Sequence, residues 1–506
     1  MESTEPVQPR GPQLHQAYAA AVPALSVPWQ AQTPPSPEIA WVNEDLAADL
    51  GYDPAWLRGE AGIGLLTGQL DEAGRPLPAG APAPEHPFTT AQAYAGHQFG
   101  SPNPQLGDGR AVLLGDVLDA SGRRRDLHLK GSGPTPFARA GDGKAPLGPM
   151  LREAVVGESL HALGLPTTRA LAVLTTGESI APRQGVTPEP GAMLVRVAAS
   201  HLRVGTFEFA TWHHDLDVRR ALAEHSIDRH HPAARDAENP VLALLEHVAG
   251  AQAELVAQWM LTGFVHGVMN TDNMALSGEG IDYGPCAFLD EHRRGAVFSS
   301  IDRGGRYAYA NQPGIALWNL SRFAETLVPL IDPENPNAAV EAATAVLERF
   351  EPHYLDAYAR GLAAKLGIPA AAPPDVVRAL GADLFTLLEQ QHVDHTGFFR
   401  ALTDGRAAEL FQDRAPFEDW HRRLLELRGN GEAADAARAA MEQHNPVYIP
   451  RNVHLDSALR AAHLGDLDPV RTLLEAVRRP FDRRAGLEEL EGPGDGGADF
   501  MTFCGT

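Results

Sequence analysis

The segment from Phe264 to Gly284 reads Phe264-Val265-His266-Gly267-Val268-Met269-Asn270-Thr271-Asp272-Asn273-Met274, then a short Gly-containing return, then Ile281-Asp282-Tyr283-Gly284. A long stretch with helical apolar spacing, Val241–Phe264, runs into it. The order is therefore helix, compact polar loop, hairpin-like return and an Asp-aromatic-Gly triplet. Asp272 can accept a proton from a hydroxyl. The hard oxygens of Asn273 and Asp282 suit Mg²⁺ or Mn²⁺ held together with phosphate oxygens. A capped helix end with Asx-turns would account for any one of these residues, but not for the ordered set.

Upstream lie three further polar islands. Gly107-Asp108-Gly109-Arg110 precedes the apolar run Ala111–Val117. Its glycines let backbone N–H groups approach an oxyanion, although a plain Gly-Asp turn entering a strand has the same composition. A second β-like run, Asp126–Lys130, is followed by Gly131-Ser132-Gly133 and by Gly141-Asp142-Gly143-Lys144. The amphipathic helix expected over Gly148–Leu163 carries Glu153, and a strand Lys paired with a helix Glu is how protein kinases hold phosphates. Arg196 and Arg203 lie in or beside the apolar run Ala192–Ala198, where an unpaired guanidinium is expensive to bury. Each needs an acidic side chain or a bound phosphate. The loop Asp, its Asn neighbour and the Asp-aromatic-Gly triplet complete a kinase layout with one departure. Asp272 and Asn273 are adjacent, whereas the kinase pair stand about five apart.

Composition limits the alternatives. With 42 Lys and Arg against 65 Asp and Glu, the net charge of −23 argues against nucleic acid or an anionic membrane as a partner. Only three of the basic residues are lysines, Lys130, Lys144 and Lys365. Codon bias accounts for most of that, yet two of the three fall in the Gly-rich stretch, where a compact ammonium suits a phosphate. Two cysteines, Cys286 and Cys504, cannot build a disulfide framework, and no secretory pattern or apolar run of membrane-spanning length is found. A cytoplasmic monomer is expected.

Along the chain, residues 1–85 are Pro-rich, with one short helical pattern at Asn43–Leu50, and read as an extension wrapping the core. Residues 86–215 alternate β-like runs (including Ala170–Thr175) with Gly clusters, a β-rich N-lobe. Beyond a polar, His-rich stretch at 213–240, residues 216–480 read as a helical C-lobe, broken at 367–374 and near 428–432. Residues 481–506, Gly-rich and acidic, read as a flexible tail. The fold class expected is α+β, protein-kinase-like and bilobal, with added extensions.

Four stretches, YAGHQFGSPNPQLGDGRAVLLGD, DLHLKGSGPTPFARAGDGKAPLGPMLREAVVGESLHALGLPTTRAL, FVHGVMNTDNMALSGEGIDYGPCAFLD and QPGIALWNLSRFAETL, closely resemble the selenoprotein O (SelO) family over roughly residues 35 to 480. The resemblance implies a kinase fold, once classed as a pseudokinase, that binds ATP inverted and transfers AMP to Ser, Thr or Tyr hydroxyls of proteins, itself included. UTP, giving UMP transfer, is an alternative donor, and Mg²⁺ or Mn²⁺ the cofactor. It further implies that Gly107, Gly109, Arg110, Lys130, Asp142, Gly143, Arg196 and Arg203 contact the nucleotide, with Glu153 pairing Lys130. Asp272 is implied as the general base, and Asn273 and Asp282 as metal ligands. Some members pair a C-terminal selenocysteine or Cys with a Cys near the activation loop. Cys504 takes the first place but Cys286 does not clearly match the second, so an inert Cys286 and a free Cys504 are expected. Two other readings share the core residues: a conventional phosphotransferase and a non-catalytic nucleotide sensor. Lys144, Arg196 and Arg203, matched to holding the outer phosphates, favour AMP transfer over the first. Against the second, no catalytic or metal position is degraded.

Overall fold

The computed structural model describes residues 11–139, 141–181, 188–429, 432–494 and 500–502. The strands of the first half are β1 (Ser26–Pro28), β2 (Glu38–Val42), β3 (Thr90–Gln92), β4 (Gly96–Gln98), β5 (Ser101–Asn103), β6 (Ala111–Leu118), β7 (Arg124–Lys130), β8 (Ala145–Pro146), β9 (Arg169–Ile180) and β10 (Glu189–Ala198). Among the described residues they form one large sheet in the order β1-β3-β6-β7-β10-β9-β2, with β8 added to β10, and a separate β4–β5 hairpin. The central strands are apolar and buried on both faces, as expected of strands sandwiched between layers. One face packs on the helix Leu147–Ala162 through Leu151, Ala154, Val155 and Leu160. The other is covered by short N-terminal helices through Leu46, Leu57, Leu65 and Leu66. The second half of the chain is helical, led by Pro240–Thr262 and Gln312–Ile331, with a further core around Leu384, Phe398 and Trp420. The chain is thus α+β, a β-rich first half followed by a helical second half.

The expected runs are found, each longer by a few residues where pairing continues past the apolar pattern. The helix foreseen at Gly148–Leu163 spans Leu147–Ala162, and Gly164 leaves it with φ 83°. The helix ahead of the polar loop spans Pro240–Thr262, started by the Asn239 side chain accepting from Leu242 N–H and ended by left-handed Gly263. Two regions differ from the sequence reading. The polar stretch 213–240 contains a helix, Leu216–His230, whose only fully buried side chains are Leu222, Ala223, Ser226 and Ile227, too narrow a stripe to stand out in the pattern. The N-terminal stretch supplies both outer strands of the sheet, and these are too short for their alternation to register. At the other end, Thr502 is buried: its hydroxyl donates to Pro285 O (2.6 Å), directly after the Asp282-Tyr283-Gly284 triplet. Cys504 lies outside the described residues.

Candidate active site

Where the sheet meets the helical half, a cleft of about 410 Å³ is lined from both sides. Strand register builds its inner wall. Lys130, the last residue of β7, pairs with Ala111 on one side and Leu194 on the other, so Arg196, two residues along β10, lies on the same face of the sheet. The helix Leu147–Ala162 crosses that face and carries Glu153. Lys130 Nζ donates to Glu153 Oε2 (2.6 Å) and to Asp282 Oδ1 (2.8 Å). Arg196 Nη1 bridges the same two carboxylates, at 3.1 and 2.7 Å. Arg203 Nη1 adds a contact to Asp282 Oδ2 at 3.5 Å. Burial alone would raise the Asp282 pKa, but Lys130, Arg196 and Arg203 together hold it well below the usual carboxylate range. Asp282 also has φ 65°, a left-handed conformation costly for a non-glycine residue, so its placement is held by these contacts.

On the opposite wall the short 3₁₀ turn Thr271–Asn273 presents Asp272. Asp272 is 8% exposed and its Oδ1 is buried with no hydrogen-bond partner. Burial pushes its pKa up to about 7, with Arg203 pulling the other way. Such an orphaned carboxylate oxygen is expensive, and its cost is met by a tightly held loop. Arg203 Nη1 donates to the Asp272 backbone carbonyl (2.9 Å), and Arg203 stacks on the Tyr94 ring (4.4 Å to the centroid). Thr271 donates to Glu208 Oε2 (2.6 Å), whose other oxygen meets His97 Nδ1 at 2.5 Å. A Cβ on Gly96 would stand 2.6 Å from Asp272 Oδ1, so only glycine allows that strand so close. Asn273 donates Nδ2 to Val268 O (3.0 Å), which leaves its side-chain oxygen as the atom for a ligand.

Gly107, Gly109, Arg110 and Gly143 line the cleft, as do Lys130, Glu153, Arg196, Arg203, Asp272, Asn273 and Asp282. Gly107 has φ 71°, and a Cβ there would strike the Phe137 ring. Asp142 is not part of the lining: it is exposed and accepts from Lys144 N–H (3.0 Å). The Lys144 ammonium is paired with Glu178, away from Lys130. Cys286 is fully buried, its thiol donates to Tyr283 O (3.1 Å), and burial pushes its pKa up to about 11. Among the described residues no three His, Cys, Asp or Glu side chains are arranged to hold a metal unaided.

Several wall residues were not singled out from the sequence. Tyr94, His97 and Gly96 lie in the quoted stretch YAGHQFG, whose aromatic and Gly content was the available signal. The Asp108–His128 pair (2.9 Å), the stacked His128 and His201 rings (4.2 Å) and Glu208 have no local signature, since each depends on contacts between strand, loop and helix residues far apart in sequence.

The model of the family described as "Protein adenylyltransferase SelO" matches residues 12–478. A relative named protein nucleotidyltransferase YdiU from Mycolicibacterium smegmatis is 51% identical over 498 residues, covering 97% of this chain and 98% of its own length. Relatives of the same name from Pseudarthrobacter chlorophenolicus (50% identical, 97% of each chain) and Cereibacter sphaeroides (49%, covering 97% of this chain and 98% of its own) are similar. The ROP18 kinase domain solved with AMP-PNP and sucrose covers 68% of this chain and 86% of its own at 14% identity, with a TM-score of 0.23, too low to bear weight. No helix among the described residues is long and apolar enough to cross a membrane. By its sequence across nearly the whole length, the chain belongs to the SelO family of protein adenylyltransferases.

Proposed function

We propose that the cleft binds ATP and that the chain transfers AMP to Ser, Thr or Tyr hydroxyls of proteins, itself included, releasing pyrophosphate. UTP is an alternative donor. The observation that carries this reading is the opposition of two buried carboxylates across one cleft: Asp282 clamped by three cations, and Asp272 with a partnerless oxygen and a pKa near 7. In the proposed step, Asp272 takes the acceptor hydroxyl proton as the oxygen attacks the α-phosphorus. The bond to the β,γ-diphosphate breaks, and Lys130 and Arg196, with Arg203, neutralise the charge that leaves. Glu153 keeps the Lys130 ammonium placed.

The donor set fits a hard divalent cation. Asp282 supplies an anionic oxygen, Asn273 a neutral one, and two ligands of this kind bind Mg²⁺ or Mn²⁺ only with phosphate oxygens and water completing the shell. Bound there, the cation would offset phosphate charge during the attack. We assign Gly107, Gly109, Arg110 and Gly143 to backbone and charge contacts with the nucleotide, and Asp142 to the rim. Two cysteines in 506 residues, one of them fully buried, support a cytoplasmic setting.

Parallel incubation with α-³²P-ATP and γ-³²P-ATP in Mg²⁺ or Mn²⁺ tests the reading. Label is expected on protein from the α position alone, and lost by a factor of about 10²–10⁴ in Asp272→Ala. Label from the γ position alone would establish a phosphotransferase instead, and pyrophosphate release unchanged in Asp272→Ala would remove the proposed base.

A further inference from the structure

The loop between Gly284 and the helix Gln312–Ile331 carries four arginines, Arg293, Arg294, Arg303 and Arg306, none of which the proposed chemistry uses. Among the described residues none of the four has a carboxylate within ion-pair distance. Surface arginines elsewhere commonly do, as in Arg349–Glu246, Arg360–Glu254 and Arg423–Asp383. The acids of the loop itself are engaged otherwise. Asp290 is held by Arg451, Glu291 by His392, and Asp302 accepts from the backbone N–H groups of Arg306 and Tyr307.

The loop folds back on itself. Ala310 N donates to Arg294 O and Tyr309 N to Ala296 O, both at 3.0 Å, which brings the Arg293–Arg294 segment beside the end of the loop that Arg306 precedes. The Arg306 guanidinium lies 4.8 Å from the Trp318 ring centroid and lines a shallow groove of about 520 Å³ with Ala310, Asn311, Gly314 and Ile315. The same loop supplies Ile301, 48% exposed, to the mouth of the cleft that holds Asp272, beside Phe99, 37% exposed. Four guanidiniums without an ion-pair partner thus stand in the loop that adjoins the place where an acceptor hydroxyl must arrive, while the nearby Glu389 is engaged by the Arg294 backbone N–H (2.8 Å). The loop's complement is a short acidic segment with an apolar residue for Ile301 and Phe99.

We propose that this arginine loop docks an acidic stretch flanking the acceptor hydroxyl of the substrate protein; the inference rests on the AMP-transfer reading and specifies its substrate class. The test uses the full chain and two fluorescein-labelled peptides, each with a central Ser-Leu, one flanked by Asp and Glu and the other by Lys. By fluorescence anisotropy at low salt the acidic peptide is expected to bind at least about tenfold more tightly. That margin should shrink with added salt and be lost in the double variant Arg293→Glu/Arg303→Glu, both exposed positions. Equal binding of the two peptides, or an acidic-peptide affinity unchanged in the double variant, would overturn the proposal. So would displacement of the acidic peptide by a DNA oligonucleotide at matched charge. Binding needs no turnover, so it reads the surface even if AMP transfer fails, and failure of transfer alone would indict only the activity. Where transfer proceeds, the peptide preference is expected in KM and not in kcat.

Discussion

Two buried ionic clusters invite comparison. In the helical half, the fully buried Arg451 forks onto Asp394, at 2.6 and 3.0 Å, and reaches Asp290 at 3.2 Å, while Asn452 donates to Asp290 as well. One cation faces two carboxylates, and the contacts tie the residues that precede two helices, Arg451 and Asp394, to the loop residue Asp290. In the cleft the ratio is inverted: Lys130, Arg196 and Arg203 crowd Asp282 and Glu153, and Asp272 nearby has an oxygen with no partner. In the first cluster all four carboxylate oxygens of Asp290 and Asp394 accept hydrogen bonds. In the cleft one buried carboxylate oxygen is left idle, which is the mark of a site and not of a tie.

The sharpest way to break that contrast is a pair of substitutions. Lys130→Met is expected to lower AMP transfer at least about a hundredfold, because charge stabilisation of the leaving group is lost. Its effect on melting should be modest, since Arg196 still bridges Glu153 and Asp282. Arg451→Met leaves Asp290 and Asp394 without their cation and should cost about 3–5 kcal/mol of stability, with kcat of the folded fraction unchanged. Thermal melts beside label incorporation check both, and equal activity losses would erase the distinction.

A smaller effect sharpens the comparison at Asp272. Its pKa near 7 in the fold, against about 3.9 unfolded, means that the native state binds the extra proton between those values. This group therefore subtracts stability as pH rises from about 4 to 7 and keeps it subtracted above. Asp272→Asn should melt higher than wild type at pH 8, and the advantage should vanish near pH 4. Over the same range, wild-type kcat/KM should climb with pH and level off above about 7 as the base loses its proton.

The smallest effect concerns Lys365, buried in the helical core with its ammonium on His444 O (3.2 Å) and over the Phe399 ring (4.3 Å). Burial pushes its pKa down to about 7. Unfolded it titrates near 10.4, so its charge costs stability most below about 7 and progressively less as pH rises towards 10. Lys365→Met is expected to gain about 1–2 kcal/mol at pH 7, with the gain shrinking at pH 9. A loss at pH 7 would mean that Lys365 has an anionic partner after all.

How much of this was legible beforehand follows from how local each feature is. Lys130, Asp272 and Asp282 lie in short runs whose order alone implies their chemistry, and Glu153 follows from the helix period. The pairing of Lys144 with Glu178 could not be read, because it joins the loop residue ahead of β8 to strand β9, whose neighbours are set by the whole sheet. A retained lysine therefore pointed to the cleft once, at Lys130, and elsewhere to a rim ion pair and a helical core. The His97–Glu208–Thr271 chain was equally hidden, since its members come from a hairpin, a helix and a loop far apart in sequence.

The outer strands of the sheet carry a consequence of length. β1 and β2 lie at opposite ends of the sheet, six neighbour spacings apart, about 29 Å at roughly 4.8 Å each. Only residues 29–37, Trp-Gln-Ala-Gln-Thr-Pro-Pro-Ser-Pro, join them, and fully stretched that connection reaches at most about 35 Å. It crosses the sheet end with Gln32 N on Ser132 O (2.8 Å) and Trp29 Nε1 on Pro134 O (2.9 Å), beside the Gly131–Gly133 turn that follows Lys130. With so little slack, the segment works as a girth strap. Shortening it by even two residues would set the two borders of the sheet pulling against each other, across the turn next to the lysine that grips Glu153 and Asp282.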